Sequence, residues 1–120
     1  MKLPLSSLFL LITFASCTND QLPEPAVIDC PTAITYIADI KAIIDNSCSY
    51  AGCHVSGFGS GDFTSFSSMQ GAISSGAFEQ RVIEQKNMPP SNAPDGRPTE
   101  LTAEELELVR CWIKGGYLEN

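Results

Sequence analysis

The stretch CSYAGCH, residues 48–54, holds two of the five cysteines and the one histidine of this 120-residue chain. Cys48, Cys53 and His54 admit three chemistries. Two thiols with an imidazole directly after the second is the order in which a c-type haem is attached. That signature, C-x-x-C-H, has two residues between its cysteines, and this chain has four. The same side chains, joined by Cys30 or Cys111, make up the four ligands of a zinc site. Two cysteines so near each other also suit a plain disulfide, with His54 at the surface. Zinc fits least well, because an adjacent Cys53-His54 pair is awkward for one tetrahedral ion and structural zinc is usually held by two well-spaced pairs.

A covalently held haem needs one thiol for each of its two vinyl groups and a histidine beside the second thiol to ligate iron. Gly52 gives the backbone freedom for the two extra residues to bulge outward while both sulfurs reach the ring. Iron then needs a sixth ligand. Met88 lies in NMPP, thirty-four residues after His54, where Pro89 and Pro90 limit the ordering needed to hold it. A thioether is a soft ligand that favours reduced iron, and His/Met ligation raises the reduction potential. Met69 falls in a predicted helix and is expected in the core. With both axial positions filled no site is open to a substrate, and the single histidine leaves no Ser/His/Asp set. The chain is not expected to be an enzyme.

Helices must deliver these residues. In PTAITYIADIKAIIDNSC, Ala33, Ile37, Ile40 and Ile44 recur at helical spacing, and Cys48 falls on the same face one turn beyond Ile44. Thr32 is the expected N-cap. VSGFGSGD follows as an irregular loop without the G-K-[ST] ending of a phosphate loop. Ser65 to Gln85 reads as one broken helix or two short ones, interrupted near Gly76, with Phe63, Phe66, Ile73, Phe78, Val82 and Ile83 on the apolar side. Four prolines and a glycine make residues 87–98 a loop. The last helix has the clearest boundaries. Thr102 and Glu105 form a capping box, Leu101 and Leu106 its hydrophobic staple, and Gly115-Gly116 its end. Leu106, Val109, Trp112 and Ile113 make its buried stripe. No stretch alternates with period two, so the expected class is mostly α with long loops.

The N-terminus sets the expected compartment. Residues 1–16 carry Lys2, an apolar run from Leu5 to Ala15, and then Ser16, the charged start, apolar middle and small-residue end of a secretory signal. The run is shorter than the roughly 20 apolar residues of a membrane span. Cys17, directly after it, resembles the lipid-bearing cysteine of a bacterial lipoprotein, although Phe14 stands where that pattern usually has an aliphatic residue. A soluble secreted protein is the alternative. Residues 17–31, with Thr18-Asn19-Asp20-Gln21, Pro23 and Pro25, read as a tether.

Fourteen acidic against seven basic residues give a net charge of −7, and −8 from Cys17 onward because Lys2 is the one charge before it. That balance argues against nucleic acid, whose phosphates need concentrated Lys and Arg, and suits a basic partner protein. Glu104, Glu105 and Glu107 complement the dipole of the last helix. Arg81, Lys86 and Arg97 read first as solvated surface charges, with pairing to haem propionates as the alternative. With Cys17 assigned to lipid, Cys30, Cys48, Cys53 and Cys111 remain, and an oxidising compartment leaves few free thiols. Without haem, four cysteines permit three pairings among which sequence does not choose. If haem takes Cys48 and Cys53, then Cys30 and Cys111 are left as a disulfide tying the two ends of the domain. Such a long closure contributes roughly 4 kcal/mol in the chain-entropy model.

IIDNSCSYAGCH, GDFTSF, NMPP and LTAEELELVRCWIKGGYLEN, in that order, resemble the small class I-type cytochrome c domains of bacterial lipoproteins over about residues 30–117. The resemblance implies a cytochrome c-like fold over residues 32–120, with N- and C-terminal helices packed together and long loops around one haem. It implies covalent haem on Cys48 and Cys53, His54 as proximal ligand and Met88 as distal ligand. The four-residue gap departs from the usual motif, although C-x4-C-H occurs in some multi-haem cytochromes. The expected function is single-electron transfer between redox partner proteins on the periplasmic or cell-surface side of a bacterial membrane, with the lipid on Cys17 as anchor. The alternative is a haem-free, disulfide-stapled lipoprotein acting as an interaction module.

Overall fold

The computed structural model describes residues 29–30 and 33–120. The signal segment, the lipid site at Cys17, the tether apart from Asp29 and Cys30, and the expected N-cap Thr32 lie outside the described residues. The described residues form helices and loops with no strand, the mostly α class expected from the pattern. A π-helical turn, Tyr36–Ile40, runs directly into α1, Lys41–Ser47. Next comes α2, Phe66–Ser74, and then α3, Ala77–Glu79, which opens into a second π-helical turn, Gln80–Glu84. The last helix, α4, spans Ala103–Lys114. Among the described residues no helix is long and apolar enough to cross a membrane.

The first helix starts later than its apolar pattern suggests. Its N-cap is Thr35, whose Oγ1 accepts from Ala38 N–H at 3.3 Å while Thr35 N–H donates to Asp39 Oδ2 at 2.8 Å. This is a capping box stretched by one residue, in step with the i→i+5 bond from Ile40 N–H to Thr35 O. The wider turn brings Tyr36, not Ile37, into line with Ile40. Tyr36, Ile40, Ile43, Ile44, Ser47 and Cys48 are buried, whereas Ile37 is 58% exposed. Ala33 precedes the helix and is exposed. The expected stripe is corrected at these first two members, and Ile40, Ile44 and Cys48 keep their shared buried face.

The last helix follows its sequence signals closely. Glu105 N–H donates to Thr102 Oγ1 at 3.2 Å, and Thr102 N–H donates to Glu105 Oε2 at 2.9 Å. Leu101 and Leu106 pack against the core, half-buried. At the other end Gly116 N–H bonds to Ile113 O and Tyr117 N–H to Trp112 O, both at 3.0 Å. These are the paired bonds of a Schellman ending, and the Tyr117 ring closes on Trp112 with centroids 4.9 Å apart.

Trp112 is where the terminal helices meet. Its side chain has no exposure, and the rings of Tyr36, Phe66 and Phe78 surround it at 6.1, 6.4 and 5.9 Å between centroids. The chain then doubles back. Leu118 O accepts from Tyr36 N–H at 2.8 Å and from Trp112 Nε1–H at 2.9 Å, while Glu119 O accepts from Ile37 N–H at 3.1 Å. Two N–H groups that a helix start leaves without partners are thus met by the C-terminal tail. A disulfide joins Cys30 to Cys111 across 81 residues, with Cα atoms 5.4 Å apart. It is the pair that remains when Cys48 and Cys53 are set aside for another use.

Candidate functional site

The end of α1 delivers Cys48 to a compact loop. Cys48 N–H and Ser49 N–H both donate to Ile44 O at 2.8 Å, which widens the last turn. His54 N–H then donates to Cys48 O at 3.1 Å and closes the neck of the loop. Inside the neck, Cys53 N–H donates to Tyr50 O at 2.9 Å, with Gly52 at φ 90° in the third position of the turn. That position calls for the left-handed region, which glycine enters without steric cost. The four residues between the cysteines are therefore a hydrogen-bonded turn and not slack chain. Ala51 and Gly52 project into solvent as expected, but Tyr50 folds inward and is only 5% exposed.

Cys48, Cys53, His54 and Met88 line one cavity of about 520 Å³. Its other walls are mostly apolar, with Phe63 and Ala72 on one side, Phe78 and Val82 from α3 and the turn after it, and Pro89-Pro90 beside Met88. The volume falls within the roughly 300–1,000 Å³ of small-molecule and cofactor sites. Met88 is half-buried and Pro89 buried. Met69 is fully buried in the core, as expected, and is not part of this wall.

Two residues that line the cavity carry a buried side-chain polar atom without a hydrogen-bond partner. Ser47 is 1% exposed and its Oγ has no partner, and His54 Nδ1 is likewise buried without one. Leaving such a group unsatisfied costs about 1–3 kcal/mol. The His54 ring stacks on Phe63, with centroids 4.0 Å and planes 6° apart, and Phe63 N–H donates to His54 O at 2.9 Å. Burial lowers the His54 pKa from its ordinary 6.5, an effect partly offset by the backbone of Ser60 and Gly61 beside the ring. The imidazole is neutral at pH 7, the form that ligates metal. Burial also pushes the Cys48 thiol up to about 12, with nearby Cys53 and Glu105 adding to the shift. Cys48 is a protonated thiol at neutral pH and a weak nucleophile.

Cys48 and Cys53 carry free thiols. Among the described residues no three His, Cys, Asp or Glu side chains converge as metal ligands. The bond between Cys30 and Cys111 also takes away both sulfurs that zinc would have used as a fourth ligand. The donor set at the cavity is instead two thiols, one imidazole and one thioether. Three further residues join the site. Phe63 reads as an apolar helix flank and braces His54. Tyr50 lies buried inside the cysteine loop. Arg97, which reads as a solvated charge, holds its guanidinium 4.6 Å above the centre of the Tyr50 ring. No protein-family model, curated protein or solved structure matches this chain.

Proposed function

We propose that the chain is a single-electron carrier with one covalent c-type haem on Cys48 and Cys53, axial ligands His54 and Met88, and a lipid on Cys17 that tethers it outside the cytoplasm of a bacterium. One observation carries this reading. Two thiols, the single imidazole, and a thioether forty residues beyond Cys48 all line the same apolar cavity. The contact of the first and last helices at Trp112 supports a cytochrome c-like arrangement around it.

When bound, the haem supplies a one-electron iron couple. The residues hold it, orient it and keep water away. Cys48 and Cys53, both free, anchor through sulfur. His54, neutral and braced by Phe63, offers a nitrogen lone pair. Met88 brings a soft sulfur that favours the reduced state and so raises the potential. Phe63, Phe78, Val82 and Pro89 supply an apolar surround. With both axial positions taken, electron transfer is favoured over catalysis, and the net charge of −8 from Cys17 onward favours basic redox partners. A haem-free, disulfide-stapled lipoprotein would share the Cys30–Cys111 bridge, but it gives no use to the two free thiols.

Expressed with c-type haem maturation in an exporting host, the protein is expected to be red and to show the sharp Soret and α bands of reduced haem c. A colourless, correctly exported protein with Cys48 and Cys53 disulfide-linked would end the electron-carrier reading and leave the stapled module.

A further inference from the structure

We propose that Tyr50 and Arg97 form a clasp that holds the Met88 loop against the cysteine loop, and that the extra residues of the C-x4-C-H stretch serve to carry Tyr50. The proposal rests on the haem reading, in which both loops bear ligands. The chain from Gln85 to Thr102 has no regular element to fix it. Beside Met88 the loop is tied by Asn87 N–H, which donates to Arg81 O at 3.1 Å, and Arg97 supplies a second attachment farther along. Its guanidinium lies 4.6 Å above the Tyr50 ring centre, and its Nη1 donates to Asn46 O at 3.3 Å, joining residues 51 apart. A planar guanidinium stacks on an aromatic face and donates sideways at the same time, which a lysine ammonium cannot do.

The connection from Arg97 back to Met88 is stiff. Pro89 and Pro90 follow Met88 directly. Ala93 N–H then donates to Pro90 O and Arg97 N–H to Pro94 O, both at 3.0 Å, so two consecutive closed turns fill the span. Gly96, at φ 81°, occupies the third position of the second turn, where a type II turn requires that conformation. Holding Arg97 therefore holds Met88. At the other end the Tyr50–Cys53 turn, closed within the Cys48–His54 neck, presents the Tyr50 ring. The four-residue gap gives room for that turn inside the neck. The ring and not the hydroxyl does the holding, because the guanidinium lies over the ring face while the hydroxyl lies toward Cys53.

Four variants of the haem-loaded protein test this. Losing the stacked cation and its hydrogen bond should raise the open-loop population about 10-fold. Arg97→Ala is therefore expected to bind CO in the reduced state about 10-fold faster than wild type and to weaken the iron–thioether absorption band, and Tyr50→Leu, which keeps the bond to Asn46 O, to do so about 3-fold. Tyr50→Phe, which keeps the ring, is expected to match wild type, and Arg97→Lys to fall between. The haem-free full chain gives a second readout, in which Arg97→Ala should speed proteolytic cutting within residues 87–98 by a similar factor. Equal CO binding in all five proteins would overturn the clasp, even if cutting were faster, because the loop would then be pinned without positioning Met88. A chain that never takes up haem would overturn the haem reading and with it the clasp's role in placing Met88, whereas faster cutting of its Arg97→Ala form would still show that the two loops are joined.

Discussion

The two ends of the first helix sit in opposite physical regimes. At its start, the Tyr36 and Ile37 N–H groups are answered by Leu118 and Glu119 carbonyls, and the Trp112 indole N–H shares the Leu118 acceptor. Rings from four other residues close around Trp112, and among the described residues the Tyr36 hydroxyl is the one buried side-chain polar atom there without a partner. At its end, two thiols are free, Ser47 Oγ and His54 Nδ1 are unpartnered, and a cavity of about 520 Å³ opens. Native interiors tolerate few such groups, and those that persist mark strain or function. A close-packed, hydrogen-bonded end thus sustains an open one that is incomplete by itself.

The largest expected effect comes from breaking the closed end. Trp112→Ala should cost about 3–5 kcal/mol, a large share of the roughly 5–15 kcal/mol that holds a domain together. Chemical denaturation would then show a collapsed midpoint or no folded protein, and a loss below about 1 kcal/mol would deny Trp112 its central place. Met88→Ala acts on the open end alone. It should lower the reduction potential on the order of 0.1 V, a fraction of the roughly 0.8 V that axial ligation spans, and admit CO while the melting temperature barely moves. An unchanged potential and reduced spectrum would remove Met88 from the iron.

A pH series separates the ends more finely. In the haem-free chain the folded state holds His54 below its ordinary pKa of 6.5 through burial, so the unfolded chain takes up the proton first. Stability from this group is complete above about 6.5 and declines as pH falls below it. The melting temperature should therefore fall on acidification, His54→Leu should flatten that slope, and haem loading should do the same by occupying the imidazole. The smallest effect is expected at Ser47. Ser47→Ala should raise stability by about 1 kcal/mol, the low end of the cost of a buried unsatisfied hydroxyl, since no hydrogen bond is lost. Ile44→Ala, one turn away and equally buried, should cost about 2–5 kcal/mol. Similar losses at both would mean that Ser47 has a partner.

The sequence made the closed end largely legible and the open end only in part. The last helix could be read because its signals are local: Thr102, Glu105, Leu101 and Gly116 each act within a turn of their own position. The start of the first helix could not, because a π-helical turn breaks the 3.6-residue period and exchanges Tyr36 for Ile37 on the buried face. At the cavity, Cys48, Cys53, His54 and Met88 were recognisable as donors by type and order. Tyr50 and Arg97 were not, since 47 positions separate them and their meeting depends on how two irregular loops fold. The same holds for the His54–Phe63 stack across the glycine-rich segment.

The mass of the exported chain after full denaturation and reduction tests the central claim most directly, because only a covalent link survives that treatment. The expected result is an adduct of one haem on the wild-type polypeptide, absent when Cys48→Ala and Cys53→Ala are combined. A wild-type chain free of the adduct, from a host that matures other c-type haem proteins, would contradict it.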